Sequence, residues 1–83
     1  MADSYATVLD ILADVLSLGE RAQTFTPDTP ILGSIPEFDS MAVVSVITAL
    51  EERFGFSIDD EEIDAEIFVT VGSLHAFVKG KLG

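Results

Sequence analysis

Glu37-Phe38-Asp39-Ser40-Met41-Ala42-Val43-Val44-Ser45-Val46-Ile47-Thr48-Ala49-Leu50-Glu51-Glu52-Arg53-Phe54-Gly55 passes from a proline-containing loop into a helix of about residues 40–54. Val43, Val44, Ile47, Leu50 and Phe54 recur at helical spacing and form the expected core face, and Gly55 is the stop. Asp39 and Ser40 are both good N-cap residues, so capping alone explains the dipeptide. The reciprocal capping box is missing, because Ala42 and Val43 stand where Glu or Gln would complete it. A serine hydroxyl at such a junction lies beside backbone N–H groups that have no helical partner. The macrodipole there favours negative charge, so the position also suits a phosphate.

Upstream, Asp3 or Ser4 is the expected cap of a first helix of about residues 4–18. Its apolar residues are Tyr5, Val8, Leu9, Ile11, Leu12, Val15 and Leu16, Asp10 and Asp14 stand opposite, and Gly19 is the stop. Residues 19–38 contain Pro27, Pro30, Pro36 and Gly33 and read as a long loop, with Phe25, Ile31, Leu32 and Ile35 as apolar anchors. Ordered loops of this length in small domains are more often functional than incidental. Downstream, Asp59 and Glu62 have the spacing of a capping box for a short acidic helix or turn at about residues 59–66. Thr70 caps a last helix of about residues 70–82, with Val71, Leu74, Phe77, Val78 and Leu82 on one face and Lys79 and Lys81 near its negative end. The expected fold is all-α, a small four-helix bundle forming one domain over residues 1–83.

With 83 residues the chain buries only about 60–65% of its unfolded surface, which leaves little room for a deep catalytic cleft. An apolar share of 48% is nevertheless ample for a core. Fifteen acidic residues against four basic ones, a net charge of −11, repel nucleic acid and anionic lipid and attract proteins with basic patches. Six of those acids, Asp59, Asp60, Glu61, Glu62, Asp64 and Glu66, fall within eight residues. They lack the alternating order of an EF-hand loop, so no metal site is expected, and a solvated face is the ordinary explanation of such a run. No cysteine is present, which excludes a disulfide framework and a thiolate zinc site. Met1-Ala2-Asp3-Ser4 lacks the basic and apolar regions of a signal peptide, and Ala42–Leu50 is too short to span a bilayer. A cytoplasmic protein is expected.

Ser40 lacks the partners of a catalytic nucleophile. The single histidine, His75, follows Leu74 on the last helix and reads as a packing residue rather than a base, and no Gly-x-Ser-x-Gly elbow surrounds Ser40. Its hydroxyl is therefore not expected to attack as a nucleophile, and no enzymatic activity is expected.

From end to end the chain resembles the acyl and peptidyl carrier protein family. The resemblance rests on ordered motifs: Ile31-Leu32-Gly33 in the loop, Asp39-Ser40-Met41 at the helix start, Leu50-Glu51-Glu52-Arg53-Phe54-Gly55-Phe56 at the helix end, Ile58-Asp59-Asp60-Glu61-Glu62-Ile63, and Thr70-Val71-Gly72-Ser73-Leu74. It implies that a phosphopantetheinyl transferase attaches a 4'-phosphopantetheine arm from coenzyme A to Ser40, with Asp39 helping to position that enzyme and its magnesium. It further implies that a monomeric carrier holds acyl or aminoacyl cargo as a thioester and delivers it to loading and transferring enzymes with basic docking patches.

Met41 stands where the family usually has leucine, a near-isosteric apolar exchange. The outward residues of the second helix are neutral until Glu51 and Glu52, which shifts docking charge toward the acids after Gly55. The expected docking surface is Met41 and Ile63 surrounded by Glu51, Glu52, Asp59, Asp60, Glu61 and Glu62. The family includes fatty-acid, polyketide, nonribosomal-peptide and D-alanyl carriers, and Ile63-Asp64-Ala65-Glu66-Ile67-Phe68 resembles the matching region of D-alanyl carriers. A stand-alone specialised carrier is the preferred subtype. The competing class is an acidic helical adaptor that never carries an arm.

Overall fold

The computed structural model describes residues 4–33, 35 and 38–82 and places α1 at Ser4–Val15. Val8, Ile11 and Leu12 are buried, with Tyr5, Leu9 and Val15 half-buried beside them. The helix stops earlier than the expected residue 18. Ser17 adopts a left-handed φ of 55°, and the Leu18 N–H reaches back to the Ala13 carbonyl at 2.9 Å, the ring closure that ends many helices. Gly19, the expected stop, instead opens a 3-10 turn, Gly19–Thr24, which buries Ala22 inside a stretch expected to be loop. Asp3, Pro36 and Glu37 lie outside the described residues.

The loop that follows is ordered by backbone pairing. Pro30 and Thr70 form an antiparallel bridge, Ile31 N–H donates to Val69 at 3.0 Å, and Leu32 N–H to Phe68 at 3.0 Å. Of the expected anchors Ile31 and Ile35 are buried and Phe25 is half-buried, but Leu32 is exposed. This ladder runs into the start of α3, Val71–Leu82. Val71 N–H donates to Thr29 O at 2.9 Å and Gly72 N–H to Pro27 O at 2.7 Å. Thr70 Oγ1 accepts from Ser73 N–H and Ser73 Oγ from Thr70 N–H, each at 3.0 Å, which is the expected cap. Val71, Leu74 and Val78 are buried. Leu82, expected on the same face, is exposed.

Helix α2 spans Ser40–Phe54 and ends at Gly55, whose φ of 76° only glycine adopts freely. Its core face differs from the expected one: Val46 and Leu50 are buried, whereas Val44 is 63% exposed. Ala42–Leu50 is apolar on nearly every side, so two registers fit a helical period and packing against α1 selects one. The expected short helix of residues 59–66 is two 3-10 turns, Asp60–Glu62 and Ala65–Phe68. A continuous α-helix would set Asp60 against Asp64 and Glu62 against Glu66 at i,i+4, where like charges repel. Asp64 instead restarts the chain by accepting the Glu66 N–H at 3.0 Å. With these turns in third place, the expected four-helix order is present. No helix among the described residues is long and apolar enough to cross a membrane.

Candidate functional site

At the start of α2, Asp39 has extended backbone (φ −104°, ψ −174°). Its Oδ1 accepts the Ala42 N–H at 2.9 Å, and its carbonyl accepts the Val43 N–H at 3.0 Å. Asp39 is thus the cap, a contact typically worth about 1 kcal/mol. Ser40 is the first helical residue, exposed, and its hydroxyl makes no hydrogen bond to the described residues. The two helix starts differ in a way that bears on function. In α3 the first two N–H groups are closed off by the Thr29 and Pro27 carbonyls, whereas the N–H groups of Ser40 and Met41 in α2 bond to none of the described residues. Two donors that no described residue engages and the positive end of a four-turn helix therefore flank the Ser40 hydroxyl, a fitting place for a phosphodiester.

The surface beside Ser40 is apolar and neutral. Met41 is 76% exposed and Val44 63%, one turn apart on the outer side of α2, followed by exposed Ser45 and Thr48. Exposed apolar side chains grouped in this way mark contact surfaces more often than isolated ones do. Val44 escaped the sequence reading. Its spacing from Ser40 and Met41 was the available signal, but the same spacing fitted the core register.

The expected docking acids do not act alike. Glu52, Asp59, Asp60 and Glu61 are exposed. Glu51 is half-buried, and its Oε2 accepts the Ile58 N–H at 2.7 Å, holding the turn after α2. Glu62 accepts the Asp59 N–H at 2.9 Å and is paired with Lys81 Nζ at 2.9 and 3.0 Å. The hydrogen bond from the Asp59 backbone, followed by that from Lys81, holds its carboxyl below the usual carboxylate range. Glu51 and Glu62 thus fasten the segment that presents the other acids. Ile63 is half-buried against the core.

His75 Nε2 lies 2.8 Å from Ser4 Oγ, and its ring meets Tyr5 edge-on at 5.3 Å. It joins α3 to α1, the packing role expected of it. A groove of about 220 Å³ between α1 and the turn Gly19–Thr24 is lined by Ala6, Leu9, Asp10, Ala13, Gly19, Ala22 and Gln23, and includes no residue of α2. Among the described residues no three His, Asp or Glu side chains are grouped to hold a metal ion.

The sequence profile of the phosphopantetheine attachment site family matches residues 6–78. The chain is 60% identical to a holo acyl carrier protein from Nitrosomonas europaea solved by solution NMR; the match covers 99% of this chain and 98% of that one, with a TM-score of 0.88. An exposed serine opening a helix, in the fold order of a carrier and with these two likenesses, makes the chain a member of the acyl carrier protein family, whose domain is the phosphopantetheine attachment site.

Proposed function

We propose that Ser40 is the residue at which this acyl carrier protein takes its 4'-phosphopantetheine arm, and that Met41, Val44 and the exposed acids of residues 52–61 receive the enzymes served by the arm. The observation that carries the assignment is the division of labour at the start of α2. Asp39 does the capping, which leaves the Ser40 Oγ in solvent beside the N–H groups of Ser40 and Met41.

In the attachment step the Ser40 oxygen forms a bond to the β-phosphorus of coenzyme A, the bond from that phosphorus to the oxygen bridging it to the α-phosphate breaks and releases adenosine 3',5'-bisphosphate, and the serine proton leaves to a base supplied by the transferase. One Asp39 oxygen is engaged by Ala42; the other is free to face the transferase and its magnesium. The new phosphodiester keeps one negative charge, which the open donors and the macrodipole stabilise. Once attached, the arm supplies a thiol that holds acyl cargo as a thioester, giving a chain without cysteine the sulfur chemistry it lacks.

Docking combines apolar contact at Met41 and Val44 with long-range attraction from the acids. That combination gives fast, salt-sensitive association, while tethering raises the effective concentration of cargo at each docked enzyme. The carrier itself performs no turnover and works in the cytoplasm. Its partners are a phosphopantetheinyl transferase and the enzymes that load and remove acyl groups. The 60% likeness to an acyl carrier protein supports acyl cargo; D-alanyl or peptidyl cargo is distinguished by the mass of the group isolated on the protein. Incubation with coenzyme A and a broad-specificity transferase tests the assignment: the wild type gains the mass of the arm and Ser40→Ala does not. A wild type left unmodified by several transferases sinks the proposal.

A further inference from the structure

The two residues before Ser40 have no helix to hold them, so something else must fix the direction in which the chain enters α2. The contacts lead to one residue of the 3-10 turn Ala65–Phe68. Phe38, two residues before Ser40, is buried, and its ring packs on Phe68 with centroids 5.3 Å apart and planes tilted by 44°. Phe68 is itself 3% exposed. It touches the same loop a second time, because its carbonyl accepts the Leu32 N–H at 3.0 Å. Between these contacts Ile35 N–H donates to Ile31 O at 3.2 Å and Phe38 N–H to Ile35 O at 3.0 Å. Leu32 and Phe38 are therefore held by the same residue, the first by the Phe68 carbonyl and the second by its ring.

We infer that Phe68 is a positioning residue for arm attachment: through Phe38 it sets the orientation of the Asp39 cap and hence of the Ser40 hydroxyl, although it belongs to neither α2 nor the docking acids. The inference rests on Ser40 being the attachment residue. Aromatic pairs of this geometry contribute beyond the area they bury, and small misplacements of a reacting group are expensive in rate. Phe68→Leu keeps much of the buried volume but loses the ring contact. Phe68→Ala removes both.

The test compares transfer of the arm from coenzyme A by one transferase to wild type, Phe68→Leu, Phe68→Ala and Val8→Ala. The last is a core truncation in α1 that serves as a control for stability. Expected is a fall of about tenfold in kcat/KM for Phe68→Ala and a smaller fall for Phe68→Leu. The fall lies mainly in kcat, and hydrogen exchange at the Ala42 amide, the group bonded to Asp39, accelerates in parallel. Val8→Ala, at a matched loss of stability, stays within about twofold of wild type because its folded state presents Ser40 unchanged. Equal kinetics for Phe68→Leu and Val8→Ala at matched folded fraction, with unchanged exchange at Ala42, overturn the inference. An arm mapped to another residue of the wild type overturns the Ser40 assignment instead, and the Ala42 exchange then still reports whether Phe68 holds the Asp39 cap.

Discussion

Gly72 and Gly80 lie in the same helix, and replacing each with alanine is expected to change stability in opposite directions. Alanine is favoured over glycine in a helix interior by about 1 kcal/mol, and at Gly80, where an added Cβ meets nothing within 4 Å, that preference acts unopposed. At Gly72 the same Cβ would stand 2.7 Å from the Pro27 carbonyl oxygen and 3.2 Å from Pro27 Cβ. These are backbone and ring atoms that cannot rotate away. If the loop holds its place, overpacking costs about 1–3 kcal/mol. If it retreats, the 2.7 Å hydrogen bond from the Gly72 N–H is lost, about 0.5–1.5 kcal/mol, and the neighbouring Val71–Thr29 and Ile31–Val69 bonds are strained with it. Net of helix preference, Gly72→Ala should destabilise by up to about 2 kcal/mol. For a domain of this size that lowers the melting temperature by up to roughly 15 °C, while Gly80→Ala raises it by a few degrees. Thermal unfolding followed by circular dichroism reads both. A Gly72→Ala protein as stable as Gly80→Ala would refute the claim that the loop before Ser40 is fastened to the start of α3.

Asp39→Ala should cost about 0.5–2 kcal/mol and Asp39→Asn only a few tenths, because asparagine caps as well as aspartate; urea unfolding measures both. Of the two, Asp39→Asn should keep its fold yet accept the arm more slowly, since it loses the charge proposed to face the transferase. Glu62 has its folded-state pKa lowered, so its contribution is complete above the unfolded carboxylate range and is lost as pH falls through the folded value. Lys81→Met should therefore reduce the loss of stability on acidification, as seen in melting temperatures taken from neutral to acidic pH. Met41→Ala and Val44→Ala should change stability by no more than about 0.5 kcal/mol, as exposed residues do, yet slow acyl transfer between the holo protein and its enzymes in a single-turnover assay.

Much of this arrangement was legible in the sequence because the signals were local. The Thr70 cap, the Gly55 stop, and the anchors Ile31 and Ile35 all act within a few residues or through simple burial, and each stands where the spacing put it. The misses share a different cause. Val44 changed sides because a nearly all-apolar helix has no unique hydrophobic face. The capping box at Asp59 and Glu62 is present, yet it opens a 3-10 turn and not one helix through residue 66, along which carboxylates at i,i+4 would repel. The stop at Ser17 was hidden, since the residue type suggests no left-handed conformation. The Phe38–Phe68 contact and the ladder from Pro27 to Gly72 join residues thirty or more positions apart, and no periodicity records such pairings. The choice between Asp39 and Ser40 as cap needed atomic geometry, and it was this choice that released the Ser40 hydroxyl.

The central claim is tested most directly by mapping the arm. Holo protein made with coenzyme A and a transferase is cleaved, and the modified peptide is fragmented in the mass spectrometer. One addition is expected, localised to Ser40, with every other serine and threonine unmodified. An arm on any other residue would contradict it.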